Sequence, residues 1–284
     1  MRGISTVLDV AVFLLLVSAA VATLTVPASP APDTDVGSVA STLGTATADV
    51  EYRAAVVVEL QNGTETTLSE VRRANGTVAN LLADAAVSTA TFEPADGAGE
   101  YEEYRRALAN RTREILRWFD ARTQVEAQWQ PYTGAPLGGS LTVGPTPPDR
   151  DVMVATLDVP APVASVQPAT RRVASGGYEA VAAVVANATV RGLYPARRMA
   201  LAVQSGGLDR GLAINRYRRL LAGLDLDVAG QLRGGAVAEV NRALVAGLTE
   251  VFARDMRQQF DSPAAAAAAV RAGRARLIVR GWEA

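Results

Sequence analysis

The chain has 284 residues, a formal net charge of −1 and 49% hydrophobic residues, of which few are aromatic. That composition supplies a core packed mainly by Ala, Val and Leu. It contains no His, no Cys and no Lys, so all 28 basic residues are Arg. This inventory excludes Ser-His-Asp and Cys-His catalysis, Schiff-base chemistry, the usual zinc ligand sets and disulfides. It points to a non-enzymatic protein with no cofactor and no metal, and the near-zero net charge argues against nucleic acid as a partner. Carboxylates, Tyr, Ser, Thr and Arg remain, so a carboxylate-dependent hydrolase is the enzymatic alternative.

The first element is the run ISTVLDVAVFLLLVSAAVATLTV, whose one charge is Asp9. A helix over those residues is about 35 Å long, against a bilayer hydrocarbon core of roughly 30 Å. The 1–26 segment is therefore expected to be a single transmembrane helix, and Arg2 favours the inner side, leaving the rest of the chain outside the cell membrane. A second reading takes Val10 to Val17 as the apolar region of a signal peptide cut near Ala20-Val21-Ala22, which releases a secreted protein starting at Thr23. Arg2-Gly3-Ile4-Ser5-Thr6, a basic and a small residue directly before an unbroken apolar helix, resembles the class III signal of archaeal type IV pilin-like proteins. The resemblance implies processing between Gly3 and Ile4, with the apolar helix kept as anchor and assembly core. Asp9 would become the sixth mature residue, where that family, when it has an acid, carries a glutamate at the fifth.

Pro27, Pro30 and Pro32 end the helix and open a Pro-rich tether over 27–47, extended through about residue 35. A pilin stalk continues into its head, and this break argues for an accessory subunit. Residues 48–284 are expected to form an extracytoplasmic α+β domain, with a subdivision near 165 as the alternative to one unit.

Within the domain, Val50, Tyr52, Ala54, Val56, Val58 and Leu60 alternate with Glu51, Arg53 and Glu59, the pattern of a half-buried strand. Asn62-Gly63 reads as a turn into a second strand around 65–71. Helices are predicted over 75–88, capped by Asn75, and over 99–119, where Tyr101, Tyr104, Leu108, Ile115 and Phe119 form a stripe. Strand periodicity returns in RTQVEAQWQ, with Val125, Ala127 and Trp129 facing in, and at 139–143 and 152–159. Further helices fit 172–193, 196–204, 211–222, 236–260 and 263–273 before a last strand at 274–282. One-sided alternation of this kind belongs to a mainly antiparallel sheet covered by helices.

Four of the seven Asn residues, Asn62, Asn75, Asn110 and Asn187, sit in N-x-Thr sequons, where Ser and Thr frequency predicts roughly one. They are candidate glycosylation sites. Between Val190 and Leu220 seven arginines face the single acid Asp209. Of these, Arg197, Arg198, Arg216, Arg218 and Arg219 are candidate contacts to a partner, with a solvated helix face as the plainer reading. Glu100, Glu102 and Glu103 with Arg105 and Arg106 read as a first helical turn with surface pairs, and Trp129 before Pro131-Tyr132 as a packing corner. Asp149, Asp151, Asp225 and Asp227 lie near turns, where a carboxylate Ca²⁺ site is the weaker reading.

The segment RTQVEAQWQPYTGAPLGGSLTVGPTPPDRDVMVATLDVP, with the RGISTVLDV start, resembles a haloarchaeal family of single-pass proteins found among pilus-like secretion genes. That resemblance implies a membrane location and other pilin-like or secretion subunits as partners, and carries over no site residue.

Overall fold

The computed structural model describes residues 35–59, 64–92, 101–119, 122–226 and 228–283. The expected transmembrane helix with Gly3 and Ile4, the start of the tether, Asn62, Glu100 and Asp227 lie outside these residues. Among the described residues, no helix is long and apolar enough to cross a membrane.

The folded part is α+β, and every strand pair is antiparallel. Helix α1 (Val36–Thr45) precedes a hairpin of β1 (Thr47–Glu59) and β2 (Glu65–Thr77), followed by α2 (Val78–Ser88) and α3 (Glu102–Leu116). Then come β3 (Arg122–Trp129), β4 (Gly139–Val143) and β5 (Met153–Pro160). The helical run is α4 (Gln167–Val173), α5 (Gly177–Leu193), α6 (Ala196–Ser205), α7 (Gly207–Ala222), α8 (Ala229–Arg233), α9 (Val237–Gln259) and α10 (Pro263–Ala268), and β6 (Arg274–Trp282) closes the chain.

The strands form two sheets instead of one. The hairpin stands alone, and the other four strands run in the order β4-β3-β6-β5. The last strand thus returns to the middle of the sheet, where both its edges are paired. Register aligns Val143, Val125, Val279 and Ala155 in one row and Leu141, Ala127, Leu277 and Leu157 in the next. This apolar face lies beneath α1 and α2. The opposite face carries Glu126, Gln128, Arg276 and Arg280, with Arg280 donating to Glu126 at 2.7 Å. Two-residue periodicity gives this division directly.

Helix α2 is the centre of the core. Leu82, Ala83, Ala85 and Ala86 are fully buried, and its alanines let the helix lie close on the sheet. At the start of β4 the approach is so tight that a Cβ on Gly139 would stand 2.0 Å from the Ala86 carbonyl oxygen. The longest helix, α9, buries Val240, Leu244, Leu248, Phe252 and Met256 at helical spacing, against α5 and the sheet end. One contiguous hydrophobic cluster runs from Val39 to Val279 and takes in residues on both sides of 165.

Three local expectations are corrected. Residues 36–45 are not tether but α1, because no proline follows Pro32 in that stretch and Val36, Val39, Ala40 and Leu43 repeat at helical spacing. The Asp35 carboxylate caps the helix by accepting from the Gly37 and Ser38 amides. Asn75 is not a helix cap: β2 continues through it, opposite Asp49, and α2 starts after Thr77, whose hydroxyl accepts from the Asn80 amide. The helix expected over 172–193 is broken at Gly176-Gly177, where Gly177 has φ +88°.

Candidate functional site

The hairpin's inner face is covered by α3 near its base and by α7 further along. Tyr52 packs on Tyr104 of α3 with ring centroids 4.9 Å apart. Val56 and Val58 meet α7 at Gly211, where an added Cβ would lie 2.7 Å from Val56 Cγ1. Gly211 therefore sets how closely the helix approaches the strands.

Helices α6 and α7 are joined by Gly206 and Gly207, with φ of +76° and +55°, a left-handed turn that folds one helix back beside the other. One face of α6 presents Arg198, Met199 and Ala202, and one face of α7 presents Asp209, Leu212, Ala213 and Arg216, each at the spacing of helical neighbours. These two faces, the hairpin residues Tyr52, Ala54 and Arg72, and Ser88 and Tyr101 line a half-open cavity of about 240 Å³.

Tyr52 and Arg72 are cross-strand partners, so both side chains leave the hairpin on the cavity side. Arg72 donates to Asp209, in the first turn of α7, and lies 3.5 Å from Glu70. The hydrogen bond to Asp209 raises the Arg72 pKa further above its already high ordinary value. Burial pushes the Tyr52 phenol up and Tyr101 adds to this, while Arg72 and Arg198 pull the other way. The Arg216 guanidinium lies 5.5 Å from the Tyr194 ring centroid, and Arg219 lies 5.0 Å from that of Tyr101. Tyr194 in turn stacks on Tyr217 at 4.5 Å, and Asn241 links the two by accepting from the Tyr217 hydroxyl and donating to the Tyr194 carbonyl.

Charge is unevenly shared. Arg72 is compensated by Asp209, whereas Arg198 and Arg216 form no ion pair among the described residues. The cavity can bind an anion through these two guanidinium groups and offer a paired donor and acceptor beside it. Among the described residues its one lining carboxylate is held by Arg72, so these residues do not bring together there the two carboxylates that glycosidic hydrolysis needs.

Of the five candidate arginines, the fold brings Arg198 and Arg216 into this cavity and sets Arg219 on Tyr101 at its border. Arg197 and Arg218 are exposed elsewhere. Sequence reasoning missed Arg72, Tyr52 and Tyr101, which lie about 100 residues or more away in the chain. The available signal was Arg72 itself, an arginine at an inward position of a strand otherwise half-buried there.

Glu102 and Glu103 pair with Arg105 and Arg106 along the first turns of α3. Trp129 and Tyr132 are buried, with the indole donating to the Ala272 carbonyl at 2.8 Å and the phenol to Asp255 at 2.8 Å. Asp151 and Asp225 occupy left-handed turn positions, and among the described residues no three acids converge as a metal site. Asp225 and Glu250 share a surface depression with Arg254. Asn75, Asn110 and Asn187 are exposed, but Thr112 and Thr189 of the last two sequons are fully buried in helices. Glycan addition at Asn110 and Asn187 would therefore have to precede folding.

No curated protein and no solved structure matches the chain. The sequence model of a family of unknown function, DUF7284, matches residues 8–282, from within the apolar N-terminal run to the end of the central strand β6, and the chain belongs to that family.

Proposed function

We propose that the protein is a non-enzymatic, single-pass accessory component of an archaeal type IV pilus or pilus-like secretion assembly. In this reading residues 4–26 anchor it in the cell membrane and the α+β domain is displayed outside. The observation that carries the reading is the extent of the family match. It takes in residues 8–26 together with the whole folded domain, which supports one unit of anchor and head. The described residues begin at Asp35, the cap of α1, and in this reading the Pro-rich residues 27–34, with Pro27, Pro30 and Pro32, connect the two. A connection that short keeps the domain close to the membrane, within reach of other anchored subunits.

Mass spectrometry of the mature N-terminus in the native host tests this. Ile4 as the first residue, with the protein sedimenting with membranes, is the expected result. A first residue at Thr23 in the culture medium overturns it in favour of a secreted binding protein. Co-purification of other anchored subunits after crosslinking then separates an assembly component from a solitary surface protein.

A further inference from the structure

We propose that the cavity between the β1–β2 hairpin and the α6–α7 pair is a binding site for an acidic sugar unit, a hexuronate whose carboxylate is held by Arg198 and Arg216. Two kinds of group line it, and they sort onto two sides. Arg198 and Arg216 are the guanidinium groups without an acid partner among the described residues, and both belong to the helix pair. Guanidinium forks match a carboxylate in shape as well as charge.

The hairpin side carries Arg72 already joined to Asp209, with Tyr52, Tyr101 and Ser88 nearby. A pre-formed Arg–Asp pair is neutral overall, and it offers outward donors and acceptors together, the combination that polyhydroxyl ligands use. Tyrosine rings supply flat apolar faces for a sugar ring. A bare inorganic anion would use the first side and leave the second unoccupied. A neutral sugar would leave both guanidinium groups of the helix pair without a counter-charge. A ligand with one carboxylate on a hydroxylated ring satisfies both. The cavity volume of about 240 Å³ admits one such ring. This site stands whether the N-terminal segment is kept or removed, so its failure is distinct from failure of the membrane reading.

Isothermal titration calorimetry on the full-length, detergent-solubilised protein tests the proposal with methyl glucuronide, methyl glucoside and inorganic phosphate. Saturable binding of the glucuronide, with the glucoside and phosphate each weaker by roughly tenfold or more, is expected. Arg198→Gln should weaken glucuronide binding by roughly tenfold, and Arg218→Gln, outside the cavity, should leave it unchanged. Arg216→Gln is the second variant, and because Arg216 also lies near the Tyr194 ring its thermal melt is recorded beside the titration. Absence of glucuronide binding, equal affinity for phosphate or glucoside, or full binding by folded Arg198→Gln overturns the assignment.

Discussion

The four-stranded sheet and the β1–β2 hairpin each hide one strand face under helices, yet they do so differently. The sheet's covered face is wholly apolar around Val125, Ala127, Leu277 and Val279, and α2 fits it down to backbone contact at Gly139. The hairpin's covered face mixes Val50, Ala54 and Val56 with Tyr52 and Arg72, while Val57 and Val71 on its outer side remain about half exposed. A two-stranded sheet is marginal without helices against it, and here two separate helices supply that cover. A close-packed layer leaves no room for a ligand. Where polar side chains interrupt the packing, a cavity with fixed charges results. On this covered side the sheet is thus the frame and the hairpin layer holds a cavity with fixed charges, while the sheet's own depressions lie along its polar face and at its ends.

The largest effect should come from alkali, because it acts on both layers at once. Burial is the main reason that the phenols of Tyr104 beneath the hairpin, Tyr132 at the sheet end and Tyr217 among the helices all titrate well above their ordinary value. An unfolded tyrosine ionises near pH 10 and the folded ones resist, so the native state holds more protons there. Stability is full below about pH 10 and falls as pH rises above it, by about 1.4 kcal/mol per pH unit for each tyrosine. Thermal melts followed by tyrosinate absorbance should show one transition if the layers unfold together. Two transitions, with Tyr104 released first, would separate them. Next in size, Gly139→Ala drives a Cβ into the Ala86 carbonyl, a backbone atom that cannot swing aside. A loss of about 3 kcal/mol in urea unfolding is expected, and a loss near zero would show that α2 can slide on the sheet.

These two regions also differed in how far the sequence revealed them. Strict alternation in RTQVEAQWQ and RARLIVRGW placed β3 and β6 and their buried faces correctly, because each strand has one side in water. The hairpin's inner face followed from Val50, Tyr52, Ala54 and Val56 in the same way. Alternation cannot say which strands pair across a helical run, so the split into two sheets and the central position of β6 were not legible. The same limit applies to the site. Arg198 and Arg216 stood out as part of a local excess of charge, but whether an arginine on a helix faces water or a cavity depends on what packs beside it. Arg72 and Tyr52 reach them only through the close approach at Gly211, a contact between positions more than 150 residues apart.

Gly211→Ala addresses that approach directly. The obstructing atoms are the Val56 and Val58 methyl groups, which can yield, so the expected loss is about 1–2 kcal/mol, smaller than at Gly139. If urea unfolding instead gives equal losses at the two glycines, the hairpin layer is as closely packed as the sheet and the contrast between them fails.

The smallest change in stability belongs to Asp209→Asn. The carboxylate is 52% exposed and the Arg72 side chain 32%, so water screens the pair and its removal should cost no more than about 0.5–1 kcal/mol. Its effect on charge is larger in kind, because Arg72 then keeps only the exposed Glu70 carboxylate at 3.5 Å as its ion-pair partner, and the cavity itself loses its one lining negative charge among the described residues. Inorganic phosphate should bind more tightly to this variant than to the parent, and the gain should shrink as salt is added, since the cavity is open to screening. A substantial drop in thermal stability with no gain in phosphate affinity would mean that the Arg72–Asp209 pair is a strut between hairpin and helices. The polar residues would then serve the packing of this layer, and not recognition.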